Sequence, residues 1–266
     1  DNTLKNLALL GKDVSFKEVL RWSCELLNVK HTYSQESKIQ SEYEDEFVDL
    51  VKLINSQSKS ENKVKPIDIN CAINCPSEYF VSRGFNKKTM KYFGVGDCYD
   101  PCSMKERAVI PIHNETGKHI VGLIGRSVKE YKTPKFLFYP KGFDKRFYFY
   151  NYHRAIKKAI ETSCLYIMEG QGDVWRMYEA GVSNAVSILG KTITMQQYEK
   201  LISLPITNLI ILTDNDQAGR ESKVQIKRQL GRMFRLTFPK LSQKDIGDMN
   251  AKDIKNNILA QLKGTY

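Results

Sequence analysis

The chain has 266 residues, 41% of them hydrophobic, enough to bury a real core in one large or two modest domains. No stretch approaches the ~18 consecutive apolar residues of a membrane span, and charged residues within positions 1 to 20 exclude a signal peptide, so a cytoplasmic protein is expected. The formal net charge is +11, and between Arg83 and Arg146 fourteen Lys or Arg stand against six acids; a basic surface interleaved with aromatics is the footprint of a polyanion partner.

In chain order, DVSFKEVLRWSCELLNV (13–29) has Ser15 as N-cap, Glu18 at the capping-box position and apolar residues spaced for an amphipathic helix. A second helix is predicted over 38–55, and the Ser/Lys-rich stretch 55–66 reads as a linker. The chain opens without Met, partway into polar sequence, and is read as a fragment of something longer. A short helix is expected near 76–93, then strands AVIPIHN and HIVGLIGRS joined by a turn at Glu115 to Gly117, then the aromatic and basic stretch YKTPKFLFYPKGFDKRFYFYNYHR. Among its aromatics, Phe136, Phe138 and Tyr139 could stack on single-stranded bases, although at least half of them are expected in the core. Cysteines stand at 24, 71, 75, 98, 102 and 164, including two pairs at i, i+4, CAINC and CYDPC. Without a secretory signal they belong in a reducing compartment. The pairs are spaced more widely than usual zinc ligands, so unligated thiols are expected.

Beyond 160 strand and helix alternate. Strands are predicted at 164–169, 184–189, 208–214 and 234–239, with helices at 173–181, 194–204 and 218–232. This grammar implies an α/β fold whose mostly parallel sheet is covered by helices on both faces, with ligands beyond the carboxyl ends of the strands.

Those ends are acidic. One strand runs into Glu169-Gly170, another (IILTDNDQAGR) into Asp214 and Asp216, and the last is followed by KDIGDMN with Asp245 and Asp248. Asp173, one helical turn after Glu169, can reach in as a ligand or as support behind the ligands. Several carboxylates meeting at one edge repel one another unless hard divalent cations neutralise them, and an all-oxygen donor set favours Mg²⁺ or Mn²⁺ over zinc. The competing reading, acids that merely cap helices, fits Asp216 but does not explain three strands ending alike.

The ordered set MEGQGDVWRMYEAG, LIILTDNDQAGRES and KDIGDMN resembles the Toprim domain, and most closely that of bacterial DnaG-type and related phage primases. The likeness extends upstream through SEYFVSRGF, ERAVIPIHNETGKHIVGLIGR, TPKFLFYP and FDKRFYFYNYHRA, which resemble the amino-terminal half of the primase RNA polymerase core. It implies a helical segment and linker at 1–66, following a zinc ribbon absent here, a basic mixed α+β subdomain at 67–158, a Toprim catalytic domain at 159–254 and a helical tail at 255–266. It further implies synthesis of short RNA primers on single-stranded DNA from ribonucleoside triphosphates, by two-metal nucleotidyl transfer, with a replicative helicase fused or recruited. Glu169, Asp214 and Asp216 would be catalytic; these three with Asp245 or Asp248 would hold the metals. Arg83, Arg107, Arg126, Lys135 and Lys145 would contact nucleotide and template.

Two positions depart from the family. Its Asp-Pro-Asp run becomes Asp245-Ile-Gly-Asp248, leaving the ligand between them open, and its middle loop has Thr where this chain has Lys191. AVSILGKT also matches a loose P-loop pattern, but Val, Ser, Ile and Leu favour a strand; Gly190 is expected to turn the chain and free Lys191 for the metal site or a phosphate. The runner-up functions are a strand-cleaving Toprim nuclease or topoisomerase and a non-catalytic single-strand binder.

Overall fold

The computed structural model describes residues 66–69, 71–243 and 245–262; the predicted helices at 13–29 and 38–55 and the linker up to residue 65 lie outside them. Two short helices come first, α1 (Glu78–Ser82) and α2 (Lys87–Phe93). The sequence predicts one helix here. It breaks because Gly84 adopts φ 88°, open to a residue without a β-carbon, and because Asn86 restarts the helix as an N-cap whose side chain accepts from the Lys88 amide.

An antiparallel sheet follows, β1 (Gly96–Cys98), β2 (Arg107–His113), β3 (Ile120–Ser127) and β4 (Phe136–Tyr139), paired in that order. β2 and β3 are buried along nearly their whole length rather than at alternate positions, the mark of strands covered on both faces. β4 lies in the aromatic and basic stretch: Leu137 and Tyr139 pack against the cluster of Cys98, Met104, Val109 and Leu123, while Phe136 is exposed.

Helix α3 (Tyr152–Thr162), not predicted from the sequence, leads into the second sheet. Its strands are β5 (Cys164–Met168), β6 (Ala185–Ser187), β7 (Asn208–Leu212) and β8 (Arg235–Thr237), all parallel in the order β6-β5-β7-β8. The crossovers are α4 (Gln171–Glu179), α5 (Met195–Ile202) and α6 (Gln217–Leu230), as the alternating grammar requires. Leu165, Ile167, Leu209 and Ile211 form a core with Ala155 and Ala159 of α3, Leu201 of α5, and Ile226 and Leu230 of α6. Successive strand residues point to opposite faces, and α4 lies against the other face beside β5 and β6. After β8 the chain forms one helical turn, α7 (Ala251–Asp253), continuing as a π-helical stretch, Ile254–Leu259.

The basic and parallel-sheet halves meet along a packed seam within one compact unit, Lys65–Tyr266. Tyr150 and Ser187 exchange backbone hydrogen bonds of 2.8 and 3.2 Å, adding a bridge at the β6 edge. Trp175 of α4 donates its indole N–H to the Tyr150 hydroxyl at 2.8 Å. Phe80 and Phe85 meet the Trp175 ring edge-on at 4.8 and 5.2 Å, and Tyr92 stacks on Tyr178 at 4.5 Å. Such pairs add to the burial of large apolar surface. Trp175→Ala should therefore cost about 3–5 kcal/mol in urea unfolding, and Tyr150→Phe, which removes only the hydroxyl, about 1 kcal/mol.

Candidate active site

The carboxyl ends of β5, β6 and β7 open onto one edge, and each delivers part of the site. Glu169 follows β5 directly; the Asp214 amide donates to its Oε1 at 3.2 Å. Burial and the neighbouring charge of Asp214 hold the Glu169 carboxyl above the ordinary range, while Lys191 acts against that rise. Asp216 caps α6, its Oδ1 accepting from the Gly219 amide at 2.9 Å. A β-carbon at Gly219 would stand 1.9 Å from the Asp214 carbonyl oxygen, so the close seating of α6 against this acidic turn requires glycine.

Asp173 sits deeper than expected of a ligand. It is 7% exposed, with Oδ2 accepting from the Gly170 amide at 3.0 Å and Oδ1 from the Gly247 amide at 2.9 Å. It thus ties the turn after β5 to the loop carrying Asp245 and Asp248. Burial pushes its pKa up to about 7, with the charges of Asp214 and Asp245 adding to the rise. Within that loop Asp245 Oδ1 accepts from the Asp248 amide at 2.9 Å, and Asp248 is exposed. Arg176, not singled out in the sequence, secures the same loop. It donates to the Gly247 carbonyl at 3.2 Å, to the Gly84 carbonyl at 2.9 Å and to Glu179 at 2.9 Å, with its guanidinium over the Phe85 ring. Its signal in the sequence is its position three residues after Asp173, on the same helical face.

Among the described residues no three carboxylates bring their oxygens within 4.8 Å of one another. The acids adjoin without forming a closed cage.

The cations divide into two groups. Lys145 and Lys191 adjoin the acidic edge. Lys145 stands at the start of a 3₁₀ turn, Lys145–Phe147, with Nζ 5.3 Å from the Phe138 ring centre and 3.9 Å from where a Gly190 β-carbon would lie. The turn is docked on α5: Thr194 donates to the Arg146 carbonyl at 2.7 Å and Gln197 to the Tyr148 carbonyl at 2.7 Å. The β6 loop turns at Leu189, φ 56°, rather than at Gly190; the buried Leu189 side chain and its amide bond to Ser187 Oγ, 3.2 Å, hold a conformation a bulky residue rarely adopts.

The others lie on the antiparallel half. Arg83 and Lys135 are exposed. Arg126 donates to the Tyr79 hydroxyl at 3.2 Å and lies over Phe136, directly opposite on β4, while its Nη1 is buried without a hydrogen-bond partner among the described residues. Arg107 departs from its expected role at the surface: it is 2% exposed, and Nη1 is committed to the Gly125 and Pro134 carbonyls at 3.0 and 2.9 Å. It has no open face toward a nucleotide, because the absent side chain at Gly125 admits its stem into the sheet.

Asp173→Ala leaves two amides unpartnered and should destabilise the fold by about 1–3 kcal/mol per group. With divalent cations chelated, the wild type should lose stability as pH rises from about 4 to about 7: the folded state keeps the Asp173 proton through that window, while the unfolded chain has released it. Glu169 adds to the same trend. Urea unfolding across pH should show a flatter profile for Asp173→Asn.

Comparison with known proteins agrees with this geometry. Residues 163–238 match the Toprim domain family. The DNA primase of Helicobacter pylori (strain J99) is 25% identical over 213 residues, covering 76% of this chain and 38% of its own length; that of Aquifex aeolicus is 29% identical over 181 residues, covering 55% and 36%. The chain thus spans little more than a third of these relatives. Among solved structures, a DnaG primase catalytic domain bound to single-stranded DNA superposes with a TM-score of 0.58 at 23% identity, covering 70% of each chain. Parallel strands that run into Glu169 and Asp214, joined along a packed seam to a basic antiparallel sheet, carry the Toprim match at residues 163–238 and give the chain the fold of a primase catalytic core.

Proposed function

We propose that the chain is the catalytic core of a DNA primase, joining ribonucleotides into short primers on single-stranded DNA. The observation that carries this reading is the contact of Glu169 with the Asp214 backbone at the sheet's carboxyl edge, beside Lys145 and Lys191. Its relatives named DNA primase and the likeness to a primase domain bound to single-stranded DNA support the choice of reaction and template.

Glu169, Asp214, Asp216 and Asp245 would hold Mg²⁺ or Mn²⁺. The donor set is all oxygen, and the raised proton affinity of Glu169 marks an excess of negative charge that a cation offsets. Asp245 is preferred to Asp248 because it lies close enough to Asp173 to raise its pKa. When bound, such ions lower the pKa of a primer 3′-hydroxyl and balance the charge of the leaving pyrophosphate. The side chains do the rest. Glu169 accepts a proton or a metal at the carboxylate oxygen not engaged by Asp214. Lys145 and Lys191 orient the triphosphate, and Asp173 with Arg176 fixes the Asp245 loop. Arg83 and Lys135, both exposed, follow the template strand with the half-buried Arg126 beside them, and exposed Phe136 stacks on a base. A replicative helicase, fused or recruited, would supply the unwound template.

The decisive assay combines single-stranded DNA, ribonucleoside triphosphates and Mn²⁺ or Mg²⁺. Oligoribonucleotides should appear, and Asp214→Asn should abolish them while leaving the unfolding midpoint near wild type; a shortened template would instead identify a strand-cleaving enzyme, and retardation alone a binding module. Lys145→Ala should raise the KM for nucleotide about tenfold with template affinity unchanged. Equal losses of both would move Lys145 to the template track.

A further inference from the structure

The sulfur chemistry of the basic half is untouched by the primase reading. The pairs CAINC and CYDPC do not meet as a set of four, and the fold uses them differently. Cys71, Cys98 and Cys102 bring their Sγ atoms within 4.8 Å of one another, with Cys98 and Cys102 at 3.4 Å. Cys75 stays out, its Sγ turned to the Met90 carbonyl at 3.8 Å. The three come from two segments. Cys98 ends β1 and Cys102 lies in the turn to β2, while Cys71 belongs to the stretch that runs beside β1, where Asn74 and Asp97 exchange backbone hydrogen bonds.

We propose that Cys71, Cys98 and Cys102 bind a thiophilic divalent ion, zinc by preference, which clamps the segment around Cys71 to the β1–β2 turn. Three thiolates around zinc at a Zn–S distance of about 2.3 Å stand about 3.8 Å apart, and the observed separations require little adjustment to reach it. The Met104 amide donates to Cys102 Sγ at 3.3 Å, the kind of bond that orients a ligand thiolate and steadies its charge. Cys98 is fully buried, and Ile67, Ile69, Ile73, Ile120 and Leu137 pack around the cluster, which restricts access of water and oxidants. An all-sulfur face selects zinc over the hard ions suited to the acidic edge. The fourth position takes an oxygen donor, water or the carboxylate of Asp100, whose Oδ2 already holds the Ala72 amide at 2.7 Å in the same turn.

The test uses the whole chain, purified under reducing conditions without chelator. Elemental analysis should find about one zinc per chain. After removal of zinc, Co²⁺ titration should give a sulfur-to-cobalt charge-transfer band that saturates at one equivalent, which oxygen-bound cobalt at the acidic edge cannot produce. Cys71→Ser, Cys98→Ser and Cys102→Ser should each weaken binding by about a hundredfold or more, whereas Cys75→Ser and Cys164→Ser leave it unchanged. Absence of the band in the reduced wild type, or its persistence when all three proposed ligands are serine, overturns the proposal. The wild-type titration decides the matter even if a serine variant fails to fold, and neither result bears on primer synthesis.

Discussion

Like charges forced together at the end of a parallel sheet are the constraint around which the molecule is organised. Once β5 and β7 lie side by side in register, with Met168 opposite Leu212, Glu169 and Asp214 must be neighbours whatever their repulsion costs. The fold answers with backbone dipoles. Glu169 leans on the Asp214 amide, Asp173 on those of Gly170 and Gly247, Asp216 on that of Gly219 and Asp245 on that of Asp248. Each bond satisfies one carboxylate oxygen and fixes the direction of the group. The lysines beside Gly190 supply net positive charge that amides cannot.

Much of this was legible in the sequence because β strands with apolar runs of four or five residues advertise both their existence and their ends. ILTD and YIME mark the strands, and parallel topology places their acids on one edge. What escaped depends on contacts between distant positions. Asp173 can be read as an acid in the first turn of a helix, a ligand or a support behind the ligands, but its bond to Gly247 spans 74 residues and is invisible to local spacing. Arg107 has the composition of a surface cation; only the pairing of β2 with β3, and the space left by Gly125, reveals a buried one.

Local rules also misplaced the turn after β6. Gly190 is the residue with conformational freedom, so propensity puts the turn there. Packing puts it at Leu189, whose side chain is buried in the core, and leaves Gly190 beside Lys145. The cysteines teach the same lesson: spacing within a pair says little when the third partner arrives from another segment.

Helix α4 begins two residues after Glu169 and carries Trp175 into the aromatic seam on one side and Arg176 to the Gly84 and Gly247 carbonyls on another. Any movement of the two halves apart would have to unseat a fully buried indole, so the helix that starts at the acidic edge also pins the seam behind it.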